Sequence, residues 1–583
     1  MPPHPDPLPH KGGEGSLFVR ESRTRVVLEL RRVIFVSLVA CLTVFGTIAE
    51  AQQSAIASAH PLATQAGHAV LDRGGNAFDA AIAVAAALAV VEPYSSGLGG
   101  GGFFLLHRAA DGRSVMVDAR ETAPAGVRME DYVDAAGQPV PGASVRGGTA
   151  AAIPGVPAGL VHLAQRYARL PLSVTLAPAI RLARDGFPVD VRYARMAALR
   201  EGFLQSGVNT SGFLDRGRAP EKGFVLRQAD LAATLERLAR SGRSGFYEGP
   251  VGAALVEAAN AAGGRWSRAD LTNYAVLERE PVRFKYGAAV ITTAALPSAG
   301  GIALAQTLGM LERRGVTRIG DPENDHIVIE ALRRAFQDRA RFFGDPDFTR
   351  IAVGHLISPD YIRSRAGEID PQRATPSESL GPPIVERAAS QNTTHLSIVD
   401  ADGNRVAATL TINLLFGAGI VPPGTGVLLN NEMDDFTMRE DVPNSFMLRG
   451  ARANRIEPRK RPLSSMTPTF VEDEKGVLVL GSPGGSRIVS QVLLGVIEYT
   501  QAGEVDLARL VAMPRYHHQY WPDRVEIEPE GFSNEWRAAL TAKGHTLRVA
   551  TRKWGNMQAV FKSKRTGVAS AASDPRGDGV AWY

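Results

Sequence analysis

The chain has 583 residues, 44% of them hydrophobic and 21% charged, a composition typical of a globular protein with a large core. Its formal net charge of +5 is small for this length, and no lysine-arginine block or basic-aromatic pattern occurs, so we expect no nucleic-acid partner. Cys41 is the only cysteine, which excludes a disulfide within the chain.

An apolar stretch near the N-terminus has the pattern of a secretory signal. Residues 33–48 are apolar, follow Arg31-Arg32 and precede Ala49-Glu50-Ala51, which matches an Ala-x-Ala cleavage site. We therefore predict a signal peptide over residues 1–51, with an atypical N-terminal extension, and a mature protein that begins near Gln52. This pattern predicts a periplasmic or secreted protein.

The signal peptide has two consequences. At 16 residues the apolar stretch is short for a membrane span, so we expect no stable span after the signal is removed. Cys41 is removed with the signal, which leaves no thiol for catalysis. A lipoprotein box at residues 38–41 is the alternative, although the residues after Cys41 stay apolar.

Segments with helical and strand periodicity alternate along the mature chain. Helices are predicted over residues 77–91, 160–167, 174–185, 228–241, 326–343 and 486–499. Strands are predicted over residues 103–107, 114–117, 396–418 and 476–480. Four glycines at 99–102 lack a P-loop lysine, so they predict a close-packed backbone passage. The mixture indicates an α+β or α/β fold without internal repeats or a linker between separate domains.

A polar, proline-rich segment spans residues 367–390 and directly precedes Asn392-Thr393. Its prolines and glycines predict a mobile connector. Such a connector would let the two chain ends separate if the chain were cut before Thr393.

Thr393 begins a predicted β-hairpin. Two alternating runs, 393–400 and 405–413, flank the turn-forming residues 401–404. A turn centred on residue 402 places Thr393 opposite Thr411, with their Cβ atoms roughly 5 Å apart. A bulge in the turn would slip the register by one residue, and Thr411 would still lie beside Thr393.

A threonine hydroxyl becomes an effective nucleophile only when a base accepts its proton. A free α-amine, with a pKa of about 7.7 to 8.0, is such a base on the same residue. Cleavage of the Asn392–Thr393 bond would create that amine, which predicts a self-cleaving hydrolase with Thr393 as its nucleophile. Taken alone, however, a Thr-Thr pair is usually only β-branched strand sequence.

Several motifs in collinear order favour the nucleophile. Those in the C-terminal part are TTH at 393–395, LLNNEMDDF at 428–436, RPLSSM at 461–466 and GSPGGS at 481–486. The others are GGNAFDAA at 74–81, the glycine-rich run at 95–103, DARETAP at 118–124, PGVPAG at 154–159, SAGG at 298–301, FGDPDF at 343–348 and ASDPR at 572–576. Together they resemble the γ-glutamyltranspeptidase family of N-terminal nucleophile hydrolases over essentially the whole mature chain.

The resemblance implies a fold, a processing step and an activity. The fold would be a four-layer αββα sandwich, with two stacked sheets between helical layers. Cleavage would leave a large subunit, residues 52–392, and a small catalytic subunit, residues 393–583, which together form one heterodimeric body. The enzyme would pass the γ-glutamyl group of glutathione and related compounds, through a γ-glutamyl-threonine intermediate, to water or to an amine acceptor. This chemistry needs no metal and no other cofactor.

The resemblance also implies roles for residues around Thr393. Thr411 would support the nucleophile, and backbone N–H groups of Gly484 and Gly485 would form an oxyanion hole. A pocket for the glutamyl group must offer a cation to its α-carboxylate and acceptors to its α-ammonium. The residues assigned to the carboxylate are Arg120, Ser464 and Ser465. Those assigned to the ammonium are Asn413, Glu432 and Asp435.

Some positions need a separate interpretation. Phe446, in a lid loop over residues 437–450, stands where some bacterial members have a tyrosine, so its ring would still pack over the substrate but would offer no hydroxyl group. Glu432 replaces a glutamine of some bacterial relatives and adds negative charge near the ammonium. Three histidines lack the spacing of a metal site and are assigned structural roles, namely His395, His517 and His518.

Two alternative functions remain. A member of the same family could be an acylase for glutaryl-type amides, including β-lactam side chains, in which contacts to an ammonium matter less. The acceptors Asn413, Glu432 and Asp435 favour an amino-acid head group instead. The more distant alternative is an unprocessed, non-catalytic protein that binds γ-glutamyl peptides.

Overall fold

The computed structural model describes residues 54–382, 392–577 and 579–582, so the predicted signal peptide and Cys41 lie outside the described part of the chain. The strands are β1 (Ala55–Ser58), β2 (Gly101–Arg108), β3 (Arg113–Ala119), β4 (Phe187–Pro188), β5 (Val225–Leu226), β6 (Leu277–Arg279), β7 (Val282–Tyr286), β8 (Ala289–Thr293), β9 (Thr394–Val399), β10 (Arg405–Thr411), β11 (Thr469–Glu472), β12 (Gly476–Gly481), β13 (Tyr516–His517), β14 (Val525–Ile527), β15 (Leu547–Val549), β16 (Gln558–Ser563), β17 (Ala569–Ser573) and β18 (Val580–Trp582).

Helices make up most of the other regular structure. They are α1 (Pro61–Leu71), α2 (Ala77–Val91), α3 (Val156–Arg166), α4 (Leu172–Thr175), α5 (Ala177–Asp185), α6 (Val191–Leu199), α7 (Glu201–Gln205), α8 (Ala229–Ser241), α9 (Ser244–Tyr247), α10 (Gly249–Ala261), α11 (Arg268–Asn273), α12 (Gly300–Arg313), α13 (Pro322–Phe342), α14 (Val353–Leu356), α15 (Pro359–Gly367), α16 (Arg487–Gln501), α17 (Leu507–Ala512) and α18 (Asn534–Ala542). Among the residues described, no helix combines the length and the apolar composition needed to cross a bilayer.

Two large sheets form the centre of the fold. The first has seven strands in the order β18-β1-β9-β10-β2-β3-β6, and the second has six in the order β17-β16-β12-β11-β8-β7. All neighbouring strands within these two sheets are antiparallel. The hairpin that follows the proposed cleavage point, β9 and β10, therefore lies in the middle of the first sheet.

Alternate residues of the central strands face two different cores. In β2, Phe104 and Leu106 belong to an apolar cluster that includes helices α1 and α2, whereas Phe103 and Leu105 pack in a second cluster with β11 and β12. The second cluster also contains residues of α12, α13 and α16, which cover the second sheet. The layers are therefore helix, sheet, sheet and helix, which confirms the predicted αββα sandwich.

Helix α2 lies between the first sheet and the outer helices. It spans Ala77–Val91 as predicted, and all of its residues are buried, as expected for a helix that is apolar on every side. The Asn76 side chain caps its first turn by accepting two backbone hydrogen bonds. The Asp400 carboxylate accepts another from the Ala77 N–H at 2.9 Å, so the turn of the β9–β10 hairpin is bound to the start of this helix.

Two predicted elements end at different residues in the structure, one because of a proline and the other because of a residue with positive φ. The helix predicted over 174–185 is divided into α4 and α5, because Pro178 in the first turn of α5 has no N–H to continue the hydrogen bonds of α4. The strands predicted from 396 to 418, on both sides of the turn at 401–404, end earlier, at Thr411. Asn413 follows with φ of 72° and turns the chain out of the sheet.

The predicted connector is packed over the part that the structure describes. Ser377 lies in a short 3-10 turn and is buried. Its N–H donates to the Asp523 carboxylate at 2.7 Å, and its hydroxyl donates to the Tyr520 carbonyl at 2.6 Å. The connector is therefore held to the rest of the protein at Ser377, its mobility stays a prediction, and residues 383–391 lie outside the described part.

His395 occupies the space between the two sheets, two residues after Thr393. Its imidazole is buried and hydrogen-bonded to the hydroxyls of Thr409 and Ser397 at 2.8 and 3.1 Å, and burial lowers its pKa to about 3. A Cβ atom at Gly481, in the second sheet, would lie 2.2 Å from this ring. The close approach of the sheets here therefore requires glycine, and the contacts of His395 agree with a structural role.

Gly481→Ala is expected to lower the free energy of unfolding by about 1–3 kcal/mol, because the added methyl group would overlap the His395 ring in a space enclosed by backbone. Equilibrium unfolding in urea measures this change. Gly503→Ala is the matched control, since nothing lies within 4 Å of a Cβ there. A change below about 0.5 kcal/mol is expected for the control. Equal stability of the two variants would contradict the packing argument.

Candidate active site

The hairpin register brings Thr393 and Thr411 to the wall of one cavity. β9 and β10 pair with Thr394 opposite Leu410, a register centred on residue 402 as predicted. Gly403, with φ of 90°, lies in the turn without shifting that register by a residue. Thr393 and Thr411 come directly after the last pair of the ladder, and both line the same cavity.

Glycines support Thr411 from the neighbouring strand. Thr411 pairs with Gly101 of β2, and a Cβ atom at Gly100 would lie 2.0 Å from the Thr411 carbonyl oxygen. The close-packed passage predicted for residues 99–102 is therefore confirmed. The Thr411 hydroxyl oxygen accepts a hydrogen bond from the Asn413 N–H at 2.8 Å, which connects it to a second residue of the cavity wall.

Asn392 and Thr393, which form the predicted cleavage point, are both buried and hydrogen-bonded. The Asn392 side chain accepts a hydrogen bond from the Ser95 hydroxyl at 2.9 Å and donates one to the Tyr94 carbonyl. The Thr393 hydroxyl donates to the Asn392 carbonyl oxygen. The hydroxyl predicted to be the nucleophile therefore lies beside the carbonyl group of the bond predicted to break.

A glycine turn between β12 and α16 lies next to Thr393. Gly484 and Gly485 have φ of 136° and 58°, a conformation that L side chains rarely adopt. Their carbonyl groups accept hydrogen bonds from the first turn of α16, whereas neither of their N–H groups donates to another residue in the described part of the chain. Two backbone donors are thus available beside the hydroxyl, as an oxyanion hole requires.

Arg120 lies at the centre of a buried cluster of carboxylates. Its guanidinium donates to Glu432, to Asp435 at 2.6 Å and to Glu121 at 3.4 Å, and its Nε donates to the Pro462 carbonyl at 3.2 Å. Three carboxylates therefore already surround the cation that the sequence assigns to a substrate carboxylate. Arg120 is fully buried, so these contacts are not weakened by bulk water.

Burial changes the protonation of this cluster. It raises the pKa of Glu121 to about 7, although the charge of Arg120 opposes the shift. It also raises the pKa of Glu432 well above the ordinary value, again against the charge of Arg120. Burial therefore disfavours a negative charge on both carboxyl groups, while the neighbouring Arg120 favours it.

The cavity beside this cluster contains polar atoms without partners. It encloses about 310 Å³, its open side included. Four buried atoms of its lining have no hydrogen-bond partner among the described residues, namely Arg339 Nε, Asn413 Oδ1, Glu432 Oε2 and Ser465 Oγ. Such atoms are costly to bury unless a ligand completes their hydrogen bonds. Acceptors and donors lie together, which matches the two charged groups of an amino acid.

The lid loop closes the cavity from the side of the glycine turn. Phe446 is buried and lines the cavity, and a Cβ atom at Gly485 would lie 2.3 Å from its ring. The Asn444 amide accepts hydrogen bonds from the N–H groups of Phe446 and Leu448 and donates to Asp435 at 3.0 Å. Phe446 thus packs over the predicted oxyanion hole through its ring alone.

The structure places every predicted substrate-binding residue at this cavity and adds others. Arg120, Asn413, Glu432, Asp435, Ser464 and Ser465 all line it. The residues that the sequence analysis missed are Arg339, Leu448, Met466 and Ile488 in the lining, and Glu121 behind it. Arg339 lies on α13 among other charged residues, so no local pattern distinguishes it. Burial lowers its pKa to about 10, while Asp435 opposes that shift.

The histidines outside the cavity have ordinary polar partners. His517 contacts the Ser490 hydroxyl at 2.6 Å and the Gln519 amide oxygen at 2.8 Å. His518 lies 3.4 Å from the Asp523 carboxylate. In the described residues, no group of three or more histidine, cysteine or acidic side chains has a metal-binding arrangement.

Comparisons with known proteins agree with this geometry. The family model described as Gamma-glutamyltranspeptidase matches residues 63–583. The glutathione hydrolase proenzyme of Escherichia coli (strain K12) is 39% identical over 532 residues, which cover 90% of this chain and 91% of that protein.

Two solved structures have the same fold. The cephalosporin acylase from Bacillus halodurans is 27% identical, with a TM-score of 0.79 over 91% of this chain and 96% of that chain. The Helicobacter pylori γ-glutamyltranspeptidase is 35% identical, with a TM-score of 0.54 over 56% of this chain and 94% of that chain. The family match extends over most of the sequence, and the residues that carry it meet at one cavity, so the chain belongs to the γ-glutamyltranspeptidase family.

Proposed function

We propose that this protein is a self-processing γ-glutamyltranspeptidase and glutathione hydrolase with Thr393 as its nucleophile. The observation that carries the proposal is the position of the Thr393 hydroxyl, between free backbone donors at the Gly484-Gly485 turn and a cavity lined by an arginine and unpartnered acceptors. A γ-glutamyl substrate carries three groups that such a site can bind, namely the carbonyl group that is attacked, an α-carboxylate and an α-ammonium.

Processing would use the contact between the Thr393 hydroxyl and the preceding carbonyl group. Attack of Oγ1 on the Asn392 carbonyl carbon forms an ester and releases the Thr393 amine, and water then hydrolyses the ester. The products are the large subunit, residues 52–392, and the small subunit, residues 393–583.

Turnover would use the amine that processing releases. The α-amine of Thr393 accepts the hydroxyl proton while Oγ1 attacks the γ-carbonyl carbon of the substrate. The N–H groups of Gly484 and Gly485 stabilise the oxyanion, and Thr411 orients the nucleophile. Collapse expels the amine product and leaves a γ-glutamyl ester on Thr393. Water or an acceptor amine then attacks that ester and regenerates the free hydroxyl.

Substrate recognition would rearrange the cluster around Arg120. The α-carboxylate would bind Arg120 together with the hydroxyls of Ser464 and Ser465. The α-ammonium would bind Asn413, Glu432 and Asp435, with the unpartnered oxygens of Asn413 and Glu432 as acceptors. The substrate thus completes hydrogen bonds that the empty cavity leaves open.

Export is the proposed setting of this reaction. The apolar stretch 33–48 and the Ala-x-Ala site after it support a removable signal and a periplasmic or secreted enzyme. The glutathione hydrolases of Escherichia coli and Pseudomonas aeruginosa are named proenzymes, which supports a precursor that is cut after synthesis. The names of these relatives also disfavour the alternative of an unprocessed, non-catalytic binding protein.

A glutaryl-amide acylase is the second candidate, because a cephalosporin acylase shares the fold over 91% of this chain. Glutaryl groups lack the α-ammonium, so the unpartnered Asn413 and Glu432 oxygens would stay unsatisfied in that complex. We therefore expect γ-glutamyl-4-nitroanilide to be hydrolysed at least about 100-fold faster, in kcat/KM, than glutaryl-4-nitroanilide. A preference for the glutaryl compound would favour the acylase.

Thr393→Ala is expected to remain one uncut chain and to lose activity by more than about 10⁴-fold, because it lacks the nucleophile for both processing and turnover. Thr393→Ser keeps a hydroxyl and is the matched control, in which cleavage and measurable activity are expected. Denaturing electrophoresis and N-terminal sequencing measure cleavage, and the small subunit should begin Thr-Thr-His-Leu. An active Thr393→Ala enzyme would contradict the assignment of Thr393 as the nucleophile.

Arg120→Lys is expected to raise KM for glutathione by about tenfold or more with a smaller effect on kcat, because an ammonium cannot replace the planar fork of guanidinium donors. Arg113→Lys is the control, since Arg113 is half exposed and pairs with Glu278 at the surface. Steady-state kinetics of the two variants provide the comparison. An unchanged KM in Arg120→Lys would argue against its contact with the substrate.

A further inference from the structure

In the described part of the chain, Gln519 lies between the lid loop and the glycine turn, outside the lining of the cavity around Arg120. It follows strand β13 by two residues and is half-buried. Its amide nitrogen donates to the Met447 carbonyl at 3.0 Å and to the Phe446 carbonyl at 3.2 Å. Its amide oxygen accepts from the Ser486 hydroxyl at 2.5 Å. One side chain therefore joins the lid loop to the residue that directly follows the glycine turn.

The partners of Gln519 fix the direction in which its amide group points. His517 Nε2 lies 2.8 Å from the amide oxygen, and the Ser490 hydroxyl lies 2.6 Å from His517 Nδ1. Burial lowers the pKa of His517 to about 3, so the imidazole is neutral at pH 7 and carries one N–H group. That N–H group points to the amide oxygen, because the oxygen can only accept whereas the serine hydroxyl can donate to Nδ1. The amide nitrogen therefore faces the carbonyl oxygens of the lid loop.

The backbone of the lid loop is strained where Gln519 binds it. Met447 has φ of 60°, in the left-handed region that a residue with a side chain rarely adopts. Such a conformation persists when the surrounding structure holds it. A cavity of about 300 Å³, its open side included, adjoins this part of the loop, and its lining includes Phe446, Met447 and Gln519. Because open space lies on this side, the hydrogen bonds of Gln519 rather than close packing hold the backbone there.

The same part of the lid loop forms one wall of the cavity around Arg120. Phe446 and Leu448, on either side of Met447, both line that cavity. Gln519 binds the carbonyl groups of Phe446 and Met447, so a displacement of these carbonyl groups would move both lining side chains. The position of the wall therefore depends on a side chain that is not itself part of it.

We propose that Gln519 is a positioning residue, which holds the lid loop over the glycine turn and so keeps the wall of the cavity against a bound γ-glutamyl group. The inference rests on the proposed function and assigns a further residue to it. Gln519 would act through Phe446 and Leu448 and would not touch the substrate. Loss of its donors should weaken binding of the substrate in the ground state and in the transition state alike, which raises KM more than it changes kcat.

Gln519→Glu tests the contacts with the lid loop alone. A carboxylate has the shape of the amide and still accepts from Ser486 and His517, but it cannot donate to the lid carbonyl groups and would repel them. We expect KM for γ-glutamyl-4-nitroanilide to rise about tenfold, with kcat within about threefold of the unmodified enzyme. Gln205→Glu is the matched control, because Gln205 is exposed at the end of α7. Its KM should stay within about twofold of the unmodified value. Equal KM values in the two variants would overturn the proposal.

Gln519→Met covers the case in which a charge at this position prevents folding. Methionine is similar in length, carries no charge and offers no donor to the lid loop, so a rise in KM of about tenfold is again expected. Limited digestion with trypsin gives a readout that does not depend on turnover, because Arg449 lies in the lid loop. Cleavage after Arg449 should be at least about fivefold faster in Gln519→Met than in the control Gln205→Glu. Either an unchanged KM or an unchanged digestion rate in Gln519→Met would refute the positioning role.

Self-cleavage separates this inference from the proposed function. In the described residues, neither Asn392 nor Thr393 is hydrogen-bonded to Gln519, so both Gln519 variants should still be cut before Thr393. If the unmodified protein is not cut and does not hydrolyse the anilide, the proposed function fails and this inference fails with it. If the unmodified protein does both and the Gln519 variants match its KM, only the inference fails. Folded Gln519 variants that stay uncut would contradict a role confined to the lid loop.

Discussion

The antiparallel pairing of β9 with β10 is the constraint on which the site depends. Side chains alternate between the two faces of a strand, so a slip of one residue would turn Thr393 away from the cavity and bring a neighbour into its place. Several contacts prevent that slip. The turn is bound to the start of α2 through Asp400, the Thr411 end is packed against glycine backbone, and His395 is enclosed between the sheets opposite Gly481. Thr393, the proposed nucleophile, thus lies directly after the last pair of a ladder in the middle of a sheet.

The cavity around Arg120 holds charge and hydrogen-bonding capacity that the described residues alone do not satisfy. One buried arginine contacts three carboxylates, and several polar atoms of the lining have no partner in the described part of the chain. Burying such groups destabilises the folded protein, because they can no longer form hydrogen bonds to water. Stability is commonly reduced in this way where a site is organised for a ligand before it binds. The arrangement is therefore better explained by recognition of a zwitterion than by folding.

The glycine turn divides the space around Thr393 into two parts with different chemistry. On one side the cavity is small, buried and lined by both acceptors and donors, which suits a specific head group. On the other side lies a larger cleft of about 970 Å³, its open side included, and the charged residues of its lining in the described part of the chain are all basic. In the described part of the chain neither backbone N–H group of this turn donates a hydrogen bond, as the proposed oxyanion hole requires. The space around Thr393 is therefore small and polar on one side of the turn, and larger and basic on the other.

The sequence alone determined the αββα fold, the limits of helix 77–91, the hairpin register and many of the residues that line the cavity around Arg120, because these depend on local periodicity, turn chemistry and collinear family motifs. Only the tertiary structure decided that Arg120 is already surrounded by carboxylates and that Arg339 reaches the same cavity. These residues are hundreds of positions apart, or lie among other charged residues, so no local pattern relates them. Their burial and proximity, which set their charge and their partners, arise only when the two sheets and their helices pack together.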